Sequence, residues 1–116
     1  MTINEVRDIL RAKVLCGEHL LSQEVHSACG ADLMSDVLAF VKDQSVLLTG
    51  LLNPQVIRTA DMMDMLCIVF VRGKLPDPSI IELAVTRDIV LMCTDLRMYS
   101  ACGKLYKGGL VGLECE

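Results

Sequence analysis

The residues best placed to do chemistry follow apolar runs and come as polar-glycine pairs: Thr49-Gly50 with Asn53 close behind, Arg72-Gly73-Lys74, and Thr94-Asp95. If those runs are parallel strands, the pairs mark the carboxyl ends, where an open sheet forms its ligand crevice and helix N-termini present unpaired N–H groups. Arg72 and Lys74 bring positive charge beside a glycine that lets backbone come close to a ligand, and Asn53 leaves its helix start uncharged. The chemistry on offer is therefore recognition of a small anion by Thr49, Gly50, Asn53, Arg72, Gly73, Lys74, Thr94 and Asp95. Asp77, at the next helix start, argues the other way. The plainer alternative is that Thr49, Gly50, Gly73 and Thr94 only make strand-to-helix turns and that Arg72 is solvated.

Catalytic groups are sparse. The two histidines, His19 and His26, belong to no metal or triad pattern. His26 and Ser27 are neighbours on a strand candidate, where successive side chains point to opposite faces, so they do not form a base and nucleophile. There is no phosphate-binding G-x-x-x-x-G-K-[ST] sequence. Six cysteines (16, 29, 67, 93, 102, 115) contain no C-x-x-C pair, and Cys16, Cys67 and Cys93 lie in or beside apolar runs, the setting of small buried side chains rather than disulfides. Cys29 and Cys102, each followed by glycine, are the candidates for a metal-binding or oxidation-sensitive pair. No third or fourth ligand accompanies them, so neither metal nor cofactor is expected. Met34, Met62, Met63 and Met65 read as core or dimer contact.

The elements that must position these residues follow from periodicity. Thr2 and Glu5 have capping-box spacing ahead of Ile3, Val6 and Leu10, which predicts a helix over residues 3–11. Residues 12–16 and 24–29 are short strand candidates, each ended by a glycine. Leu33, Met34, Val37, Leu38 and Val41 recur at helical spacing, with Asp32 as N-cap and an end near Lys42-Asp43. A strand over 45–49 then leads to a helix opened by Asn53-Pro54 that carries Val56, Ile57, Ala60 and Met63 on one side. The unit repeats: Met65 to Val71 is a strand, and Asp77-Pro78 opens a helix striped by Ile80, Ile81, Ala84 and Val85. A third apolar strand covers 89–94. The β-α-β-α-β order, with strands apolar on both faces, predicts a small single-domain α/β fold: a mainly parallel sheet with flanking helices, in two or three layers. Right-handed crossovers place those helices on one side. Residues 99–106 form a short helix candidate, and the glycine-rich end is a strand or a loose tail.

Composition narrows the class. The chain has 116 residues, 53% hydrophobic and 22% charged, enough for one core and too short for two. Mean hydropathy is +0.47, yet the longest apolar run, Met65 to Val71, is far short of the roughly 20 residues of a spanning helix. The polar, amphipathic start is unlike a secretory signal, so a soluble cytoplasmic protein is expected, with no membrane partner. Net charge is −4 and the aromatics are Phe40, Phe70, Tyr99 and Tyr106, which gives neither a basic patch nor stacking surface for nucleic acid. The apolar surplus exceeds what a monomer this small easily hides and predicts a second copy of the chain as partner.

Several stretches within residues 27–110 resemble the DRTGG domain family. They are Cys29-Gly-Ala-Asp-Leu-Met-Ser-Asp-Val-Leu-Ala, Leu48-Thr-Gly-Leu-Leu-Asn-Pro-Gln-Val-Ile-Arg-Thr-Ala, Ile68-Val-Phe-Val-Arg-Gly-Lys-Leu-Pro-Asp-Pro-Ser-Ile-Ile-Glu-Leu-Ala and Ile89-Val-Leu-Met-Cys-Thr-Asp. The resemblance implies one DRTGG-like domain over 1–116: an N-terminal helix and strand (1–26), a family-like core (27–110) and a tail (111–116). Such domains occur fused to phosphotransacetylases and to CBS domains, and a similar one forms the N-terminal part of HPr kinase/phosphorylase. Where the family has Asp-Arg this chain has Leu51-Leu52, and where it has Thr-Gly-Gly it has Arg72-Gly73-Lys74; Gly50 and Gly73 remain. The implied function is a non-catalytic regulatory or ligand-binding module that takes a small anionic or nucleotide-like ligand at the strand carboxyl ends and acts as a homodimer, without kinase activity because no P-loop is present. The alternative is a ligand-free adaptor subunit of a metabolic or redox enzyme complex.

Overall fold

The computed structural model describes residues 1–40 and 44–112. Helix α1 (Ile3–Leu10) opens with the expected capping box: the Glu5 amide donates to the Thr2 hydroxyl at 3.2 Å and the Thr2 amide to the Glu5 carboxylate at 3.1 Å. It buries Ile3, Val6 and Leu10 and ends where Arg11 turns left-handed. Strand β1 (Lys13–Cys16), a 3-10 turn (Glu18–Leu20) and strand β2 (Ser27–Gly30) follow. The alternating part is α2 (Met34–Phe40), β3 (Ser45–Thr49), α3 (Pro54–Met62), β4 (Cys67–Phe70), α4 (Pro78–Thr86), β5 (Val90–Cys93) and α5 (Met98–Lys107).

One five-stranded sheet has the order β1-β5-β4-β3-β2. Strands β2 to β5 are parallel, and β1 joins the far edge antiparallel to β5. Because each crossover steps to the adjacent position in the same direction, α2, α3 and α4 share one face, as right-handed connections require. The first and last helices, α1 and α5, cover the other, which makes three layers.

Strands β3 and β4 are buried along their whole length, and their alternate residues divide two cores. Leu47, Ile68, Phe70 and Leu91 pack with Val37, Val56, Ile57, Ala60, Ile80 and Ala84 from α2, α3 and α4. Val46, Leu48, Cys67, Val69 and Met92 pack with Ile3, Val6, Leu10, Ala101 and Leu105 from α1 and α5. Sheets covered on both faces have this continuous apolar sequence.

Several expectations need correction. Helix α2 begins at Met34, so Leu33 holds the capping position and Asp32 lies one residue outside it. Its stripe is Met34 and Val37; Leu33 and Leu38 are exposed, and Val41 with Lys42-Asp43 falls outside the described residues. At the sheet edge α2 packs chiefly against α3 among the described helices, so fewer of its apolar positions find cover. Val85 on α4 and Met62 at the end of α3 are likewise exposed. Of the second strand candidate only residues 27–29 pair in the sheet, joined by Gly30, while Glu24 makes an isolated bridge to Thr2. Residues 108–112 form no strand, although the Ala28 amide donates to the Val111 carbonyl at 3.0 Å. Among the described residues no helix is long and apolar enough to cross a membrane.

Candidate functional site

The carboxyl ends of β2, β3, β4 and β5 lie side by side, and the loops leaving β2, β3 and β4 meet at Gly50. Thr49 is buried at the end of β3; its hydroxyl donates to Asp32 Oδ1 at 3.0 Å and accepts from the Leu51 amide at 3.1 Å. The Gly50 amide donates to the same Asp32 oxygen at 2.7 Å. From the next loop Lys74 Nζ donates to the Gly50 carbonyl at 3.0 Å. The Arg72 guanidinium lies against the Gly50 α-carbon, where a methyl group would come within 2.5 Å of Nη2.

Backbone geometry aims that loop. Arg72 (φ 64°) and Gly73 (φ 68°) are both left-handed, a conformation that suits glycine and is strained for arginine. The turn is held by two bonds across to the loop after β5: the Arg72 amide donates to the Leu96 carbonyl and the Gly73 amide to the Thr94 carbonyl, both at 2.8 Å. A Cβ on Gly73 would sit 3.0 Å from Asp95 Oδ1. The crevice is thus bordered by the carboxylates of Asp32 and Asp95 and the cations of Arg72 and Lys74. The Gly50 amide bond, the Thr49 hydroxyl and the nearby Arg72 and Lys74 together hold the Asp32 carboxyl below the usual carboxylate range. Among the described residues the ion pairs are Arg7–Asp8 and Arg87–Asp61, so Arg72 belongs to none.

Of the eight residues singled out by sequence, Thr49, Gly50, Arg72 and Lys74 converge, with Gly73 and Asp95 adjoining. Asn53 precedes α3 in an extended conformation, does not cap it, and has a buried Oδ1 without a hydrogen-bond partner. The first turn of α3 carries no acidic residue. Thr94 differs from expectation: its hydroxyl donates to the Leu10 carbonyl at 2.8 Å and accepts from the Leu96 amide at 3.3 Å, so it joins β5 to α1. Asp32 is the site residue that the sequence reading assigned to another role. Its place two residues past the glycine that ends β2 is the available signal, since that puts it at a strand's carboxyl end like the others.

The thiols are differently arranged. Cys29 packs toward the α2–α4 side and Cys102 toward the α1 side, on opposite faces of edge strand β2. Burial raises both thiols above their ordinary range, and Cys29 is raised further by Cys102. Cys102 lines a cleft of about 130 Å³ with Ala28, Gly30, Leu48, Leu105 and Tyr106. Among the described residues no group of three or more His, Cys, Asp or Glu could hold a metal ion. His19 and His26 are exposed, and His26 precedes β2 rather than lying in it.

No protein-family model matches the sequence, and no curated protein matches it. Among solved structures the chain is similar to the CBS and DRTGG domains of the regulatory region of Clostridium perfringens pyrophosphatase, a structure complexed with an activator, diadenosine tetraphosphate. The TM-score is 0.71 at 16% sequence identity, over 90% of this chain and 45% of that one. The chain therefore spans less than half of that regulatory region, and what the two share is the fold, a compact α/β domain.

Proposed function

We propose that this protein is a non-catalytic regulatory module of the DRTGG kind, working in the cytoplasm as a homodimer, that binds a small anionic ligand where the strand ends meet Gly50. The observation that carries the reading is the Arg72 guanidinium, which joins none of the ion pairs among the described residues and is held by a strained turn against a glycine. A left-handed arginine is retained only where surrounding bonds fix it, and such strain concentrates at ligand-binding positions. The fold shared with a pyrophosphatase regulatory region supports a regulatory role, as does the resemblance of residues 27–110 to the DRTGG family. Thr49, Gly50, Asn53, Arg72, Gly73, Lys74 and Asp95 border the proposed site; Thr94 supports it from behind.

Isothermal titration against a panel of nucleotides and acyl phosphates tests this reading. Binding below millimolar concentration that Arg72→Ala abolishes is the expected result. A folded protein that binds none of them refutes it. Light scattering tests the dimer.

A second reading, a ligand-free adaptor, is favoured by the outer face of α5. Tyr99 and Tyr106, one helical heptad apart, are 91% and 65% exposed, and Arg97, Lys104 and Lys107 are exposed with no acidic residue in the helix. Exposed tyrosines beside unpaired cations suit an acidic protein partner. If Tyr99→Ala with Tyr106→Ala abolishes function while ligand titrations stay silent, this second reading replaces the first.

A further inference from the structure

We infer that Asp32 determines the specificity of this site by filling, from within the chain, the donors that an incoming anion needs, so that the site admits a multiply charged phosphoryl group and rejects a simple carboxylate. The inference rests on the ligand-binding reading above. At the end of β3 the Gly50 amide and the Thr49 hydroxyl converge on one oxygen, Asp32 Oδ1, at 2.7 and 3.0 Å. An amide and a hydroxyl aimed at a common point, with an arginine and a lysine on the same glycine, form a cradle for an oxyanion. Here that oxyanion is a side chain of the protein itself.

Selectivity follows from the exchange. A carboxylate ligand would replace one carboxylate by another with the same charge and the same number of oxygens, and would still lose its freedom of motion on binding. A phosphoryl dianion or a pyrophosphate brings extra charge and extra acceptor oxygens, which reach Arg72 and Lys74 as well as the two donors. Displacement needs little rearrangement, because Asp32 is an exposed residue in the loop between β2 and α2. With Asp95 counted, the crevice holds two carboxylates and two cations, so removing the charge of Asp32 leaves it net positive.

The experiment is a titration of wild type, Asp32→Asn and Arg72→Ala with inorganic pyrophosphate and with sodium acetate, followed through the Gly50 and Gly73 amide resonances. Pyrophosphate is expected to shift both amides of wild type and acetate neither. Asp32→Asn should bind pyrophosphate roughly tenfold more tightly, as expected for one unit charge removed near the ligand, and should respond to acetate too. Unchanged or weaker pyrophosphate binding by Asp32→Asn overturns the inference while the site reading stands. No response to pyrophosphate from wild type or Asp32→Asn overturns the inference as well, and the nucleotide and acyl phosphate titrations above then decide the site reading. Wild type supplies a second readout that needs no variant: the Asp32 carboxyl carbon resonance must move as pyrophosphate saturates Gly73. A stationary resonance overturns the inference even if Asp32→Asn fails to fold.

Discussion

The guanidinium of Arg72 lies so close over Gly50 that a methyl group there would meet Nη2 at 2.5 Å, Cζ at 3.4 Å and Nε at 3.5 Å. These three nearest atoms all belong to the end of an exposed side chain, and none of them is backbone. Gly50→Ala is therefore expected to push the guanidinium aside at a stability cost below about 1 kcal/mol, since a flexible side chain relieves the overlap. Anion affinity should nevertheless fall at least roughly fivefold, by loss of a charge-assisted contact. Urea unfolding paired with calorimetric titration separates the two effects. A large stability loss with intact affinity contradicts the arrangement.

A second prediction concerns acid. The Gly50 amide, foremost, holds Asp32 below the ordinary carboxylate range in the folded chain, and the Thr2 amide and hydroxyl do the same for Glu5. A carboxyl whose folded pKa lies below its unfolded one stabilises the fold fully above the unfolded value, and this contribution disappears as pH falls through the folded value. The thermal midpoint should thus decline across about pH 5 to 2, the carboxylate range, with a shallow slope because both groups are largely exposed. Asp32→Asn should flatten part of that decline. Identical pH profiles for wild type and Asp32→Asn would falsify the Asp32–Gly50 bond.

The strands that build the site were legible because β3 and β4 are apolar on both faces, a pattern that only a fully covered sheet produces. The starts of α1, α3 and α4 were equally open to reading: Thr2 with Glu5, and proline just after Asn53 and Asp77, are local chemistry that needs no tertiary partner. Leu33, Leu38 and Val85 misled because periodicity gives the direction of a side chain and says nothing of what stands opposite it. The antiparallel pairing of β1 with β5 and the return of Arg72 onto Gly50 depend on contacts distant in sequence. Asp32 combined both difficulties. Its type and spacing fit a helix cap, but its hydrogen bonds go to the neighbouring strand's end.

Gly30 gives a test of how α5 sits on the sheet edge. A methyl group there would stand 2.7 Å from Cys102 Sγ and 3.2 Å from Met98 Sδ, and those sulfurs are already 3.7 Å apart. Gly30→Ala should cost about 1–3 kcal/mol, because the nearest atom belongs to the short, half-buried Cys102 side chain rather than to the far end of a flexible one. On a Cys102→Ala background the cost should drop well below that, because the nearest atom is gone. A double-mutant cycle by urea unfolding reads the difference; strictly additive effects are incompatible with the contact.

The described thiols should be slow nucleophiles. Burial raises Cys16, Cys29, Cys93 and Cys102 above the ordinary thiol range, and pushes the fully buried Cys67 far beyond it. On a Cys115→Ser background, native protein at neutral pH is expected to react with a disulfide reagent far more slowly than free cysteine, and all five thiols should react at once on unfolding. A fast native thiol at Cys29 or Cys102 would contradict this and favour the oxidation-sensitive role considered for that pair.

Thr94 and Gly50 should behave as opposites. The Thr94 hydroxyl is buried, donates to the Leu10 carbonyl at 2.8 Å and accepts from the Leu96 amide at 3.3 Å. Leu10 closes α1, where the last carbonyls have no partner inside the helix. Thr94→Val keeps the shape of the side chain and removes both bonds, leaving a carbonyl and an amide without their partner at a cost of about 1–3 kcal/mol. Pyrophosphate affinity should stay at the wild-type value, because the hydroxyl is directed to α1 rather than into the crevice. Urea unfolding and the amide titration, run on the same sample, decide the matter. A fall in affinity without a fall in stability would place Thr94 in the ligand site after all.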